Sequence, residues 1–389
     1  MPHFAVLPVF FALLAVGMPI FMVLGFLSLV LFWGEDFPLI NMAQMVVDQL
    51  NSIGIMAIPF FVMAATFMQR GGIAKALIDC AQAWVGGRRG GLAIVCVVAA
   101  TIFAAISGSS VATALAMGTI LVPAMIAAGY ERHFAVGVVG FSGTLGILIP
   151  PSLAFIIFAI IADESVPRLF LAGVIPGLMQ AGLFVLWIMY YTRKRKYPVE
   201  EGLPRDQFLA VNLNAIPALL LPVIVLGGIY GGFVTVTEAA ALSALVSIVV
   251  SVYFYKGCRA GEVLGLVGES VRITAVIVFI IAGALLFGHW ITDAGIASDL
   301  VEFVVSHDLE AWQFLLFINV LMLLLGMFLE VIAVILITVP IVLPILEQLG
   351  ISTIHYAVVV TVNMELALLT PPIGLNLYVL SSISKAPIG

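Results

Sequence analysis

Apolar stretches of about 20 residues recur along the whole chain and are separated by short polar segments. About 20 consecutive apolar residues are needed for a helix to cross the hydrocarbon core of a bilayer. The pattern therefore predicts an all-α polytopic membrane protein. Residues 4–33 form the first apolar run, but Gly17, Met18 and Pro19 interrupt it, and we expect two short helices there rather than one.

The polar stretch 197–214 is the only one long enough to separate two halves, and we interpret it as a cytoplasmic link between repeats at 1–196 and 215–389. In the first repeat the pattern predicts scaffold helices within 4–69 with a loop at 35–51, an interfacial arm at 73–89, a re-entrant hairpin at 92–128, a broken helix at 134–162 and a scaffold helix at 169–191. In the second it predicts scaffold helices within 215–255, an arm at 259–271, a helix at 273–291, an acidic loop at 293–310, a hairpin at 312–347 and a broken helix at 355–383.

The two broken helices carry the clearest signal in the sequence. Pro150 and Pro151 lie inside an apolar segment, and each proline removes a backbone donor and clashes with the preceding helical turn. A second pair, Pro371 and Pro372, follows 221 residues later in a similar segment. Unwound backbone at membrane depth survives only when it is buried in protein or lines a wet cavity.

Further matches show that the two halves are related. At the same offset of 221 residues, Pro123 matches Pro344 and Gly129 matches Gly350. At an offset of 223, the stretch 72–74 matches the stretch 295–297. Several matches in the same order indicate an internal repeat. The last scaffold helix of the first repeat has no counterpart before residue 389, and we expect the sequence to be truncated there.

Charge predicts how the repeats are oriented. Short loops rich in Lys and Arg stay on the cytoplasmic side of a membrane. No Lys or Arg occurs within 273–384, whereas the equivalent part of the first repeat carries Arg70, Lys75, Arg88, Arg89 and Arg132. The first hairpin should therefore enter from the cytoplasm and the second from outside, which makes the repeats inverted.

Composition agrees with a membrane protein and narrows the choice of partners. Hydrophobic residues make up 63% and charged residues 9% of the 389 residues, whereas soluble domains carry about 25% charged residues. The net charge of −6 is small and scattered, and we expect no nucleic-acid partner. The three cysteines form no CxxC pair, which predicts neither a disulfide framework nor a cysteine metal centre.

Inverted repeats with discontinuous helices at corresponding positions are the sequence pattern of a secondary transporter with its site near the bilayer midplane. A broken helix offers free N–H groups at one end and free carbonyls at the other. Oxygen atoms suit a small hard cation, and helix N-termini favour an anion. Small polar residues cluster at the predicted breaks and hairpin tips and add oxygen ligands: Ser107, Ser109, Ser110, Thr144, Asn363 and Thr370.

At this level of detail the sequence resembles a known family. The SGSS hairpin tip (107–110), the TLGILIPPS break (144–152) and the NMELALLTPPIGLNLYV break (363–379) resemble the large membrane subunit of TRAP (tripartite ATP-independent periplasmic) transporters. Flanking stretches are also similar, and the likeness covers essentially the whole chain: IPFFVMAATFMQRGGIA, FLAGVIPG and LPVIVLGGIYGGFVTVTEAAA.

The resemblance implies sodium-coupled uptake of an organic acid anion, with a transport domain moving like an elevator against a scaffold. It also implies two protein partners: a periplasmic substrate-binding protein that delivers the substrate, and a small four-helix membrane subunit that braces the scaffold. The implied location is the lipid bilayer of the bacterial inner membrane. No catalytic residue and no cofactor are expected, with sodium as the coupling ion and the only metal.

The resemblance further implies two sodium sites, each between a hairpin tip and the facing break. The first site would use Ser107, Gly108, Ser109, Gly143 and Thr144, and the second would use Gly326, Glu330, Asn363, Glu365 and Thr370. The substrate is expected against the same tips and breaks, at Ser109, Ser110, Pro150, Pro151, Pro371, Pro372, Gly374 and Asn376. Ala367 stands where family members commonly have glycine.

Some of these residues also have a purely structural interpretation. Pro and Gly are tolerated as kinks in packed membrane helices, and Ser109 and Ser110 could be small residues at a helix interface. Glu330 could complement the N-terminus of the returning hairpin helix. Glu365 is harder to explain in this way, because intramembrane carboxylates are costly and usually functional.

Two other function classes fit parts of the sequence. Residues 140–143 spell G-x-S-G, which would make Ser142 the nucleophile of an intramembrane serine protease. Such a serine needs a base within hydrogen-bond reach, and no histidine falls at comparable depth in a predicted span, so the short motif weighs little. The other alternative is a passive anion channel with the same inverted architecture, which differs from a carrier in having no dependence on an ion gradient.

Overall fold

The structure is a computed structural model that describes residues 3–35, 38–195, 197, 199 and 204–385. Over these residues the regular secondary structure is helical, apart from one antiparallel bridge between Arg89 and Val199. The α-helices are α1 (His3–Ala15), α2 (Ile20–Gly34), α3 (Leu39–Leu50), α4 (Ala57–Arg70), α5 (Ile73–Val85), α6 (Gly91–Ser107), α7 (Ser110–Ala127), α8 (Arg132–Leu148), α9 (Leu153–Ala162), α10 (Val166–Arg195), α11 (Arg205–Tyr230), α12 (Val236–Val249), α13 (Val263–Asp293), α14 (Ile296–Ser306), α15 (Ala311–Gly326), α16 (Val331–Gln348), α17 (Thr353–Ala367) and α18 (Leu375–Ser384).

The fold class expected from the apolar pattern is confirmed. Within the described ranges, seven helical segments are long and apolar enough to cross a membrane, and shorter apolar helices such as α2 and α6 accompany them. The first apolar run forms the two helices α1 and α2, which separate at Gly17, where φ is +90°. The protein is a multi-pass α-helical membrane protein.

The prediction of a separate arm at 259–271 is wrong. A short 3-10 turn, Ala260–Glu262, leads into α13, which continues without interruption to Asp293. The segment contains no proline to stop the helix. Its charged residues lie on an exposed helix end, where the Glu269 carboxylate lies 3.3 Å from the Arg70 guanidinium. The polar pattern there marks the end of a long helix rather than a separate arm.

Three segments expected to be loop or link contain helices. The loop at 35–51 holds α3, the link at 197–214 already contains the start of α11 at Arg205, and the acidic loop at 293–310 holds α14. In α3 the more buried positions Met42, Val46 and Leu50 follow helical spacing, while Asn41, Gln44, Asp48 and Gln49 are its polar residues. The acidic residues of the segment suggested a loop, but the spacing of the buried apolar residues favours an amphipathic helix.

The helix α14 occupies the position that the 223-residue offset assigns to the counterpart of α5. Each of the two helices begins directly after a glycine in the left-handed conformation, Gly72 with φ +89° and Gly295 with φ +73°. The α5 helix packs against α6 of the first hairpin, and α14 packs against α16 of the second. Each hairpin therefore has one short amphipathic helix at its side.

Both proline pairs end a helix, and the chain then resumes as a second half-helix. The first broken helix consists of α8 and α9, and the second of α17 and α18. At the first break, the Ser152 hydroxyl donates to the Ile147 carbonyl at 2.5 Å and accepts from the Phe155 N–H at 3.3 Å. One side chain thus satisfies a free group on each half-helix.

Buried apolar residues form two clusters, which the two broken helices cross in opposite order. One cluster surrounds the first hairpin and includes Phe103, Val139 and Leu380, and the other surrounds the second hairpin and includes Phe155 and Val339. The α8 half lies mainly in the first-hairpin cluster and α9 in the second-hairpin cluster, whereas α17 lies in the second and α18 in the first. As a result α9 packs against α16, and α18 packs against α7.

Close packing between α7 and α8 requires glycine at position 146. A Cβ at Gly146 would lie 2.5 Å from the Ser109 carbonyl oxygen, which is backbone and cannot swing aside. We expect Gly146→Ala to lower stability by about 1–3 kcal/mol through overpacking, measured as a lower thermal unfolding temperature of the purified protein. Gly137→Ala is the matched control on the same helix, since a Cβ there meets nothing within 4 Å. Equal unfolding temperatures for the two variants would contradict this packing.

Candidate functional site

The tip of the first hairpin is a tight turn held by hydroxyl groups. The chain leaves α6 at Ser107, turns at Gly108, where φ is +62°, and re-enters helix after Ser109. The Ser107 hydroxyl lies 3.0 Å from the Thr113 hydroxyl, which donates to the Ser109 carbonyl at 2.8 Å. The positive φ favours glycine at position 108, and the hydroxyl network fixes the orientation of the neighbouring carbonyls.

This tip contacts the first break directly. The Leu153 N–H donates to the Gly108 carbonyl at 3.3 Å, so the first residue of α9 is bonded to the hairpin. A Cβ on Gly108 would lie only 2.8 Å from the Pro151 carbonyl oxygen. Glycine at the tip therefore serves two needs, the left-handed turn and the close approach of two backbones.

The first-site residues of α8 also lie against this hairpin. A Cβ at Gly143 would come within 2.7 Å of the Ala114 Cβ, so α8 packs tightly on the first turns of α7. Thr144 is buried, and its hydroxyl donates to the Phe141 carbonyl of its own helix at 2.8 Å. The structure thus brings the tip residues and Gly143 together, while the Thr144 side chain is tied to its own helix.

The second hairpin tip contacts the second break in the same manner. The Met327 carbonyl accepts from the N–H groups of Ile373 at 3.2 Å and Gly374 at 3.3 Å. Gly374 lies 221 residues after Leu153, so corresponding positions of the two breaks donate to the two tips. A Cβ at Gly326 would come within 2.6 Å of the Ala367 Cβ. The alanine at 367 is therefore matched by a glycine on the helix that faces it.

One buried contact joins the second break to the first hairpin. The Asn376 Nδ2 donates to the Ser110 hydroxyl at 2.6 Å, across 266 residues of sequence, and both residues are at most 2% exposed. The Asn376 Oδ1 is buried without a hydrogen-bond partner among the described residues. This amide therefore holds the half-helix α18 against α7 and keeps one acceptor oxygen free.

A cavity of about 70 Å³ lies where these elements meet. Both tips, both breaks and the long helix α13 contribute to its wall, with the lining residues Gly108, Ser109, Ser110, Val111, Ile147, Leu153, Ala154, Ile277, Glu330, Val331, Ile332, Leu368 and Leu375. The two breaks differ in exposure: Pro150 and Pro151 are buried, whereas Pro371 and Pro372 are exposed. The described part of the chain is thus more open at the second break than at the first.

The residues predicted for the second sodium site do not all converge. Asn363 lies on the face of α17 that meets α15, where its Nδ2 donates to the Asn319 Oδ1. Thr370 bonds to the Leu366 carbonyl at 2.7 Å, and Glu330 precedes α16 with its Oε2 buried and unpartnered within the described chain. These three residues and Gly326 lie at the second tip or at the break that faces it.

The side chain of Glu365 points elsewhere. It is 1% exposed, and its Oε2 accepts from the Gln180 Nε2 of α10 at 2.5 Å. Residues 363 and 365 are about 200° apart around a helix with 3.6 residues per turn, which explains why the two side chains contact different helices. The structure therefore separates the Glu365 carboxylate from the Asn363 amide, which the sequence had grouped together.

Sequence reasoning missed three polar residues that hold this centre together: Thr113, Gln180 and Asn319. A signal for each was present. Thr113 follows Ser109 by four residues and shares its helix face. Gln180 and Asn319 are single polar residues inside long apolar runs, and such residues in membrane helices commonly hydrogen-bond across a helix interface.

The G-x-S-G motif has no catalytic geometry. Ser142 is fully buried within α8, and its hydroxyl donates to the Val138 carbonyl at 2.7 Å. The described residues also contain no group of three or more His, Cys, Asp or Glu side chains that could hold a metal ion. The polar groups at the centre are instead hydroxyls, amides, backbone carbonyls and the separate carboxyl groups of Glu330 and Glu365.

Two hairpin tips closing on two broken helices define a membrane protein with the architecture of a secondary transporter. The fold is similar to the solved structure of the YdaH transporter from Alcanivorax borkumensis, with a TM-score of 0.58 over 86% of this chain and 81% of that chain, at 16% identity. At that identity the likeness concerns the fold alone. Residues 7–389 match the family described as the tripartite ATP-independent periplasmic transporter, DctM component, and the chain belongs to this family.

Characterised relatives agree with the family assignment. The chain is 44% identical over 335 residues to the C4-dicarboxylate TRAP transporter large permease protein DctM of Pseudomonas aeruginosa, covering 86% of this chain and 78% of that protein. It is 39% identical to the protein of the same name from Rhodobacter capsulatus, covering 97% and 89%. It is 32% identical to the sialic acid TRAP transporter large permease protein SiaM of Vibrio cholerae, covering 96% and 88%. These relatives are permeases, so the protein is a transporter component rather than an enzyme, and the protease alternative is wrong.

The contact between Asn376 and Ser110 can be measured by a double-mutant cycle. We expect Asn376→Ala and Ser110→Ala each to lower the thermal stability, because each leaves the other buried group unpaired. The double variant should lose less than the sum of the two, with a coupling of about 0.5–1.5 kcal/mol for one hydrogen bond. Ser382→Ala is the control on α18, since Ser382 bonds to the Val379 carbonyl of its own helix. Additive losses would mean that the two side chains do not interact.

Proposed function

We propose that the protein is a secondary active transporter that couples sodium entry to the uptake of an organic acid anion. The observation that carries this proposal is the single central cavity whose wall contains both hairpin tips and both broken helices. Half-helix ends at a midplane cavity provide free N–H groups for an anion and free carbonyls for a cation within one site. Binding both in one cavity gives each ligand a means to stabilise the conformation that the other requires.

For the first sodium ion we propose the tip of the first hairpin, with oxygen atoms from Ser107, Gly108 and Ser109 together with Gly143 and Thr144. The tight packing of α8 on α7 supports this choice, because it brings the backbone of both helices close to the tip. For the second ion we propose the second tip and the Asn363 and Thr370 oxygens, with Gly326 and Glu330 beside them. Glu365 remains a candidate only through its backbone, since its carboxylate bonds to Gln180.

The substrate is proposed to be an acid anion, with C4-dicarboxylates as the first class to test. Relatives are named for C4-dicarboxylates, isethionate, 2,3-diketo-L-gulonate and sialic acid, all of which carry an acid group. No Lys or Arg lies near either break. Helix N-termini, the Ser110 and Asn376 side chains and bound sodium would then balance the anion in place of an ion pair. The proline pairs Pro150–Pro151 and Pro371–Pro372 and the turn at Gly374 would shape the walls around it.

The proposed function also implies a movement of the transport elements and two protein partners. We propose that the hairpins and broken helices move together against a scaffold that contains α13, in an elevator-type exchange across the bacterial inner membrane. The backbone hydrogen bonds that tie each tip to its break, one at Gly108 and two at Met327, support movement of these elements as one body. A periplasmic substrate-binding protein and a small four-helix membrane subunit are the proposed partners.

The function can be tested with the complete transporter reconstituted in proteoliposomes together with its binding protein. An inward sodium gradient should drive accumulation of radiolabelled succinate above the external concentration, and a potassium gradient should not. Dissipating the sodium gradient with an ionophore should abolish accumulation. Equilibration without accumulation under every gradient would instead identify the passive channel.

The first sodium site makes a specific prediction. Ser109→Ala and Thr144→Ala each remove one oxygen, and we expect the sodium concentration for half-maximal uptake to rise about tenfold, which corresponds to the loss of ~1.4 kcal/mol. Ser142→Ala is the matched control, because two residues place its side chain about 200° around α8 from Thr144, where its hydroxyl donates to the Val138 carbonyl. The measurement is a sodium titration of initial uptake rates. Unchanged titration curves in both site variants would remove these residues from the site.

A further inference from the structure

A second cavity lies away from the breaks, between the short amphipathic helix α14 and the second hairpin. Its volume is about 340 Å³, and three helices line it with large apolar side chains. Phe303 and Val304 come from α14, Phe314 and Leu321 from α15, and Ile341 from α16. The cavity is open on one side, because the lining residues Phe303 and Phe317 are 53% and 65% exposed. An open apolar recess of this size on a membrane protein is suited to a ligand or to part of a lipid.

The wall of the cavity is almost entirely apolar. Two polar side chains are part of it, and each makes one hydrogen bond to a nearby residue. The Thr338 hydroxyl donates to the Val334 carbonyl at 2.7 Å, and the Gln313 Oε1 accepts from the Glu310 N–H at 2.9 Å. The chemistry of the wall therefore favours a hydrocarbon ligand over a polar one.

The position along α15 places this cavity at the depth of lipid acyl chains. Trp312 is 61% exposed at the start of α15, and its indole donates to the Glu310 carboxylate at 2.5 Å. Tryptophan is enriched at membrane–water boundaries. Leu321 follows nine residues later on the same helix, which is about 14 Å deeper at 1.5 Å per residue. The cavity thus begins at the boundary and extends into the hydrocarbon region.

Acidic side chains beside the cavity indicate which lipid headgroup would bind there. Asp308 and Glu310 are exposed beside the lining residue Leu309, and no Lys or Arg occurs anywhere within 273–384. His307 is the nearby basic side chain. Its ring lies 4.2 Å from the Phe303 ring between centroids, at an interplanar angle of 35°, and its Nδ1 lies 2.9 Å from the Phe303 carbonyl oxygen. Two carboxylates attract an ammonium group and disfavour a headgroup with a net negative charge.

We propose that this cavity is a specific lipid site that holds one acyl chain of a phosphatidylethanolamine, with the ammonium group at Asp308 and Glu310. The inference does not depend on the transported substrate or the coupling ion. The lipid would fill the space between α14 and the second hairpin and so stabilise their packing by binding the folded protein.

A pair of tryptophan variants tests the acyl-chain part of the site. Leu321→Trp should fill the cavity from inside, whereas Leu324→Trp, three residues further along the same helix, adds the same side chain on an outward face that is 53% exposed. Native mass spectrometry of the detergent-purified protein with added dioleoyl phosphatidylethanolamine is the measurement. We expect wild type and Leu324→Trp to retain one tightly bound lipid and Leu321→Trp to lose it. Equal retention in both variants, or equal loss, would overturn the proposal.

The headgroup is tested by a second pair of variants and a second lipid. Wild type should prefer phosphatidylethanolamine to phosphatidylglycerol of the same chains, and Asp308→Asn should reduce that preference about twofold, as expected for one exposed charge pair. Glu302→Gln is the control, because Glu302 lies on the opposite face of α14 from Phe303 and Val304. An equal or greater affinity of wild type for phosphatidylglycerol would overturn the headgroup assignment.

Direct labelling covers the case in which Leu321→Trp does not fold. A photoactivatable phosphatidylethanolamine should crosslink wild-type protein within 300–321 or 338–345, and excess unlabelled lipid should suppress the crosslink. Labelling spread evenly over the outer surface would overturn the proposal. A dimer in lipid-free detergent that Leu321→Trp converts to monomer would also overturn it, since the occupant would then be a second copy of the chain.

Discussion

Every backbone N–H and carbonyl inside a membrane protein must find a partner, because the surrounding hydrocarbon offers none. Each of the two breaks leaves backbone groups without their helical partners, and nearby side chains and the hairpin tips supply partners for them. Ser152 satisfies groups on both sides of the first break, and the Gly108 carbonyl of the hairpin tip accepts from Leu153. At the second break the Met327 carbonyl has the same role toward Ile373 and Gly374. Each break is therefore stable only with its hairpin in place.

Small residues allow the hairpin tips and the breaks to come close enough for these contacts. Backbone can meet backbone only where side chains are absent or short, and the structure places glycine at such approaches. Gly108 lies against the Pro151 carbonyl, Gly146 against the Ser109 carbonyl, and Gly326 against Ala367. The same closeness leaves room at the centre for only a small cavity, whose polar side chains are Ser109, Ser110 and Glu330. No Lys or Arg is among the described residues that line it.

Apolar and polar cavities of this protein thus have separate locations and separate chemistry. The central cavity joins both hairpin tips and includes the hydroxyls of Ser109 and Ser110 and the Glu330 carboxyl group, whereas the wall of the larger cavity beside α14 is almost entirely apolar. Two pairs of polar side chains elsewhere in the apolar helices meet across interfaces, Gln180 with Glu365 and Asn319 with Asn363. Such pairs fix which helix faces touch, since an unpaired polar group would be costly there.

The sequence by itself determined the helical membrane class and the two positions at which helices break, because these depend on local properties, whereas the inverted relation of the two halves stays a prediction. Proline pairs stop helices wherever they occur, apolar length sets which segments can span, and glycine allows tight turns. It missed α3 and α14, where acidic residues suggested loops, and it misplaced the second arm, where a long helix extends beyond its apolar part. Tertiary structure alone decided that Asn376 contacts Ser110 across 266 residues, that the Glu365 carboxylate bonds to Gln180 and not to Asn363, and that an apolar cavity of about 340 Å³ lies beside α14. Those outcomes depend on which helix faces meet. Local sequence patterns do not specify these contacts, because the contacts arise only when helices distant in the sequence pack together.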